Sequence, residues 1–218
     1  MTHVKICCIA SIEEANLAIK SGASAIGLVS EMPSGPGVIS VKTIKEIAEQ
    51  IPPTILTFLL TSKQNVDEII EQHRRCGTNT IQLCDRIING SYLQLKNALP
   101  NIRIVQVVHV VENESIDEAI EISNSVDAIL LDSGNQKLAR KELGGTGRVH
   151  NWNISRKIVE SVKIPVYLAG GLNPQNVDEA ILQVKPYGVD VCSGVRTNSK
   201  LDEEKLKSFF DRIRLVNK

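Results

Sequence analysis

Three runs of small residues carry the first chemical signal in the chain. Gly144-Gly145-Thr146-Gly147, Gly170-Gly171 and Ser193-Gly194 each follow an apolar, strand-like stretch. With no side chains in the way, backbone N–H groups can approach an anion there, and the partial positive charge at a helix start favours phosphate. Around the middle pair, Val166 to Leu168 suits a short buried strand, Asn173 can cap the amides that follow, and Pro174 needs no amide at the first helical position. A glycine pair alone equally suits a tight strand-to-helix turn with no ligand. Three such turns on successive strand ends predict one shared phosphate site.

Composition narrows the partners. The chain has 218 residues, enough to bury a substantial core as one domain over 1–218, and its 25 lysines and arginines balance its 25 aspartates and glutamates. That balance gives no general attraction to nucleic acid or acidic lipid, and an aromatic content of 3% supplies no stacking platform for single strands. No apolar run is long enough to span a bilayer, and Met1 to Lys5 lacks the apolar region of a signal peptide, so the expectation is a cytoplasmic protein. The five cysteines, at 7, 8, 76, 84 and 192, are odd in number and have no zinc spacing, which predicts free thiols. Adjacent Cys7 and Cys8 are expected on opposite faces of a strand.

The elements that must position these residues repeat eight times. Apolar strand-like runs occur at His3 to Ile9, Ala25 to Val29, Ile55 to Leu60, Thr80 to Leu83, Ile102 to Val111, Val126 to Leu131, Val166 to Leu168 and Val189 to Cys192. Between them lie helical stripes such as Ile12, Ala15 and Ile19, or Leu206, Phe209, Phe210 and Ile213. Ser11 with Glu14, and Ser115 with Glu118, have the spacing of capping boxes. Strictly alternating strand and helix predicts a parallel (β/α)₈ barrel, whose functional face is built from the C-terminal ends of its strands. Asp132 stands at one such end, and the polar stretch from there to Gly147 is expected as a site loop. His109 has no second ligand at metal spacing and is expected to pack.

Taken together, Lys5-Ile6-Cys7-Cys8-Ile9, Asp132-Ser133, the Gly144 to Gly147 turn, Leu168 to Pro174 and Gly188 to Val195 resemble the phosphoribosylanthranilate isomerase family over nearly the whole chain. The resemblance implies isomerisation of N-(5-phosphoribosyl)anthranilate to 1-(2-carboxyphenylamino)-1-deoxyribulose 5-phosphate, a step of tryptophan biosynthesis. It further implies Cys7 as general base, Asp132 as general acid, and no metal or redox cofactor. Phosphate would be bound by Gly144, Gly145, Thr146, Gly147, Gly170, Gly171, Ser193 and Gly194. Lys5 shares a strand face with Cys7, where its charge can favour a thiolate or meet a ligand at the barrel mouth. Arg148, after the first glycine turn, can assist an anion or serve as a solvated charge.

The chain departs from that family at three places. Cys8 stands where glycine usually follows the cysteine, so it either fills space near the substrate or changes the strand's path. Ser34-Gly35-Pro36-Gly37-Val38 lacks the arginine that meets the anthranilate carboxylate, removing a bidentate fork unless lysine or backbone donors replace it. Cys84 replaces a common histidine. A different phosphate-sugar isomerase or lyase, or a noncatalytic phosphometabolite-binding barrel, therefore stays open, as does the oligomeric state.

Overall fold

Eight parallel strands pair in chain order and close on themselves: β1 (His3–Ile6), β2 (Ala25–Val29), β3 (Leu56–Thr61), β4 (Thr80–Leu83), β5 (Arg103–His109), β6 (Ala128–Asp132), β7 (Val166–Leu168) and β8 (Gly188–Val191). The computed structural model describes residues 1–134, 143 and 147–217. The ring is completed where β1 pairs with β8, Lys5 opposite Asp190 and Ile6 opposite Val191. Helices return the chain along the outside: α1 (Ile12–Ser21), α2 (Val41–Ala48), α3 (Val66–Cys76), α4 (Tyr92–Ala98), α5 (Glu114–Ser123), α6 (Trp152–Ser161), α7 (Val177–Val184) and α8 (Glu203–Val216). The fold is the expected (β/α)₈ barrel.

Strand alternation sorts the side chains into two cores. One parity faces the helices, where Ile6, Ile26, Leu28, Leu59, Ile81, Leu131 and Val189 meet helical stripes that include Leu206, Phe209, Phe210 and Ile213. The other parity fills the barrel with Ala25, Phe58, Val105, Val107, Leu130 and Tyr167. Phe58 and Tyr167 meet edge to face with ring centres 5.9 Å apart. These residues form the packed plug beneath the site.

Helix ends follow the sequence except at three caps. Ser11 accepts from the Glu14 amide, but the Glu14 carboxylate accepts from Ala10 instead of the cap residue's own N–H. Ser115 lies inside α5, where its hydroxyl donates to the His109 carbonyl and accepts from Val111 N–H; Asn113 takes the cap position without a side-chain bond. Asn173 and Pro174 open a turn instead of a helix. The Asn173 side chain accepts from Gln175 N–H, its carbonyl accepts from Asn176 and Val177, and α7 begins at Val177. In each case a side chain read as a cap makes a different local hydrogen bond or has its reciprocal partner displaced to a neighbouring amide.

β1 also stops earlier than its apolar run. Ile6 is its last residue, and Cys8 takes a left-handed conformation with φ 61°. That rotation cancels the expected alternation, and Cys7 and Cys8 turn to the same cavity.

Candidate active site at the barrel mouth

The C-terminal ends of the strands surround a cavity of about 680 Å³, including its open mouth. Its floor and walls include Cys7 and Cys8 after β1, Gln82 on β4, Cys84 after β4, Asp132 at the end of β6, Asp190 on β8 and Cys192 just beyond it. Val29, Met32, Pro36 and Leu60 form an apolar wall on the β2 and β3 side. Gly147, Gly170, Gly171 and Ser193 line the side formed after β6, β7 and β8. In a ring of eight strands these two sides lie across from each other. The cavity is therefore shaped for a ligand with one apolar end and one anionic end.

The late turns pack directly on one another. Gly170 and Gly171 have φ 80° and 64°, a region open to glycine at no steric cost. A Cβ on Gly171 would stand 2.8 Å from the Arg148 carbonyl carbon and the Val149 nitrogen, and one on Gly147 would reach the Ser193 hydroxyl at 3.9 Å. On Gly194 it would strike the Leu172 carbonyl oxygen. Among the described residues, the backbone N–H groups of Gly171, Ser193 and Gly194 have no protein acceptor. Such converged, unspent donors can cradle an anion. Gly144, Gly145 and Thr146 lie outside the described residues. Arg148 is exposed on the loop that packs against this turn.

Cys7 is held by contacts from three directions. Its backbone N–H donates to the Val191 carbonyl at 2.8 Å, continuing the β1–β8 ladder past the strand end. Gly27 leaves the space its side chain needs, since a Cβ there would stand 2.8 Å from Cys7 Sγ and 3.1 Å from Lys5 Nζ. A hydrogen bond from the Cys8 thiol and the charge of Lys5 hold the Cys7 pKa below the usual thiol range, against burial. Burial pushes the Cys84 thiol up to about 12, with the charges of Cys7 and Asp132 both acting on it. Cys84 thus stands within the field of the thiol and of the carboxylate.

Lys5 is withdrawn from the cavity. It is 0% exposed, its ammonium bonds Asp190 Oδ2 at 2.9 Å, and it lies 5.1 Å from the centre of the Phe58 ring. Burial alone would push its pKa down, but the Asp190 carboxylate and the neighbouring thiols hold it above the usual lysine value. Expected among ligand-binding residues, it is absent from the cavity lining and acts there through its charge on Asp190 and on the thiols of Cys7, Cys8 and Cys84. The second Asp190 oxygen, Oδ1, is buried with no partner in the described structure, as is Gln82 Oε1. Neither residue was singled out from sequence, although both sit on the inward parity of their strands, two residues before Cys192 and Cys84. Asp132 is held by its own turn, its Oδ1 accepting from Ser133 N–H at 2.7 Å.

No lysine or arginine is among the described residues that line the cavity, so of the two substitutes open to the missing loop arginine, a lysine or backbone donors, the described lining holds no lysine. Arg196 instead works from behind the wall, donating to the Cys8 carbonyl at 2.6 Å and the Cys7 carbonyl at 3.3 Å while paired with Glu14 at 2.8 Å. His109 packs with its Nε2 3.3 Å from the Cys84 carbonyl. Among the described residues, no group of three or more His, Cys, Asp or Glu side chains is arranged to hold a metal ion. No helix in them is long and apolar enough to cross a membrane.

A closed (β/α)₈ barrel with thiol, carboxylate and glycine turns gathered at the C-terminal ends of its strands has the layout of a barrel enzyme. The chain belongs to the N-(5'phosphoribosyl)anthranilate (PRA) isomerase family, whose model matches residues 4–212. It is 35% identical over 217 residues to the N-(5'-phosphoribosyl)anthranilate isomerase of Methanocella arvoryzae, covering 99% of this chain and all of that one. The isomerase structure from Pyrococcus furiosus superposes with a TM-score of 0.82 at 28% identity, covering 99% of this chain and 100% of the other. A phosphoribosyl anthranilate isomerase in complex with reduced 1-(o-carboxyphenylamino)-1-deoxyribulose 5-phosphate is similar at a TM-score of 0.78 and 26% identity, over 98% and 99% of the two chains.

Proposed function

We propose that the protein converts N-(5-phosphoribosyl)anthranilate to 1-(2-carboxyphenylamino)-1-deoxyribulose 5-phosphate, a step of tryptophan biosynthesis, with Cys7 as general base and Asp132 as general acid. The observation that carries this reading is the lowered pKa of Cys7 in a cavity that Asp132 also lines, with the Gly170-Gly171 and Ser193 turns at one side. Asp132 hands a proton to the ribose ring oxygen as the C1–O bond opens, leaving an iminium. The Cys7 thiolate then takes the proton from C2, and the resulting enolamine rearranges to the ketose. Phosphate rests against the unspent amides of Gly171, Ser193 and Gly194, and the aromatic ring against Val29, Met32 and Leu60. The partner-free Asp190 Oδ1 offers an acceptor to a sugar hydroxyl.

The absence of a basic side chain among the described lining residues favours a second reading. In it, the same acid and base act on a phosphorylated sugar whose other end carries no carboxylate. Freshly prepared N-(5-phosphoribosyl)anthranilate, incubated with the purified protein and resolved by chromatography from its isomeric product, separates the two. Product formed at a rate proportional to protein supports the first reading; unchanged substrate, with phosphate still binding, supports the second.

A further inference from the structure

Four of the five cysteines line the one cavity, and the isomerase reading uses only Cys7. Cys8 and Cys192 belong to the adjacent strand ends after β1 and β8. The β1–β8 register sets Lys5 against Asp190 and Ile6 against Val191, which continues to Cys7 opposite Cys192 and leaves Cys8 one residue further on. The left-handed turn at Cys8 swings its side chain back into the cavity that Cys7 and Cys192 also line, where its thiol donates to the Pro36 carbonyl at 3.7 Å and lies within the influence of both sulfurs. Arg196 fixes the Cys8 carbonyl at 2.6 Å, and its guanidinium is close enough to Cys8 and Cys192 to feel both sulfurs. Cys192 is partly exposed, whereas Cys7, Cys8 and Cys84 are buried.

We infer that Cys8 and Cys192 form a reversible oxidation site, joined as a disulfide by a small peroxide that enters through the cavity mouth. The peroxide transfers one oxygen to Cys192, giving a sulfenic acid and one water. The Cys8 sulfur then attacks the Cys192 sulfur; the S–S bond forms, the S–O bond breaks, and the hydroxide leaves with the Cys8 proton as a second water. The two thiols together lose two electrons, and the peroxide gains them. Cys7 and Cys8 are excluded as the bridged pair by geometry. Consecutive Cα atoms across a trans peptide stand about 3.8 Å apart, short of the roughly 4.4–6.8 Å that a relaxed disulfide spans. Neighbouring strands stand about 4.7–4.9 Å apart, and Cys8 and Cys192 follow the ends of two such strands, one residue out of direct opposition.

The bridge draws the Cys8 sulfur toward β8, removes its hydrogen bond to the Pro36 carbonyl and crosses the wall between Cys7 and Ser193, which lowers turnover. The loss of turnover rests on the isomerase reading; the bond itself does not. The test treats the purified full chain with hydrogen peroxide, then counts free thiols, maps linked peptides without reduction, and measures turnover before and after dithiothreitol. The expected result is two fewer free thiols than the five of the untreated protein, a Cys8–Cys192 peptide, and turnover lowered by roughly tenfold or more, with thiols and turnover both restored by the reductant. Cys192→Ser, treated alongside, forms no link. Five surviving thiols, a link between another pair, irreversible oxidation without a link, or a link persisting in Cys192→Ser would each overturn the inference. A mapped Cys8–Cys192 bond in a protein that fails to turn over the substrate would leave this site standing and remove the proposed function instead.

Discussion

Lys5 and Asp190 meet at 2.9 Å inside the barrel, with 0% and 8% of their side chains exposed. A buried ion pair of this kind adds little over an apolar pair of the same size, but removing one partner strands the other's charge. Lys5→Met should therefore cost about 3–5 kcal/mol in stability, and Lys5→Met with Asp190→Leu should recover much of it. Urea unfolding of the two variants checks this. Equal losses in both would show that Lys5 contributes by packing and not by charge.

Cys7→Ala should reduce turnover by about 10²-fold to 10⁴-fold, the range expected for loss of a positioned base, while phosphate binding and the folded spectrum persist. Asp132→Asn keeps the side-chain shape and should lose turnover by a similar factor. Near-normal rates in either purified variant would remove that residue from the proposed mechanism.

Cys8 carries the strain of a non-glycine residue at φ 61°, a cost of roughly 1–2 kcal/mol. Gly37 lies against it, since a Cβ there would stand 2.5 Å from the Cys8 Cβ. Cys8→Gly relieves the strain but gives up buried sulfur contacts, so its stability should stay within about 1 kcal/mol of the parent. Cys8→Val forces a branched carbon into the same turn and should cost about 2 kcal/mol or more. Denaturation midpoints that rank valine above glycine would contradict this account.

Gly194→Ala sets a methyl group against the Leu172 carbonyl and 2.9 Å from the Asn173 Cα, both backbone. Relieving that overlap, at about 1–3 kcal/mol, must separate the β8 turn from the β7 turn. Competitive inhibition by inorganic phosphate should weaken by about tenfold for such an energy. An unchanged inhibition constant would place the phosphate elsewhere.

His150 gives the acid side of the stability curve. Burial pushes its pKa down to about 4 from an ordinary 6.5, with the Asp132 charge opposing the shift. Between those values the unfolded chain holds a proton that the folded protein does not, so stability rises with pH through the window. The contribution is complete above about 6.5 and is lost as the pH falls through 4. His150→Gln should therefore flatten the stability profile between pH 7 and pH 4, as followed by thermal melting; a slope identical to the parent's would refute it.

The strand parity and the order of the eight units were legible because buried parallel strands and helical stripes leave strong periodic patterns, as at Leu206, Phe209, Phe210 and Ile213. The glycine turns were legible because Gly170 and Gly171 are needed for their backbone shape. Side-chain satisfaction was harder to read. Nothing in the spacing of Lys5 said that its charge would be taken by Asp190, 185 residues later. The pairing of Cys7 with Cys8 was misread because alternation holds only while the strand lasts, and the chain leaves β1 one residue before Cys7. Gln82 and Asp190 emerged only when barrel closure turned their polar ends into a shared space.

The joining of β1 to β8 has a consequence for how the protein comes into being. Lys5 and Cys7 are made well before their partners, since Asp190 lies 185 residues downstream of Lys5 and Arg196, which holds the Cys8 carbonyl, 188 residues after that cysteine. At synthesis rates of about 5–20 residues per second the interval is roughly 10–40 s. Throughout it, the nascent chain carries an uncompensated lysine in a segment otherwise fit for burial, so the first strand has no stable place to settle. The base of the proposed reaction is therefore synthesised long before the surroundings that hold it.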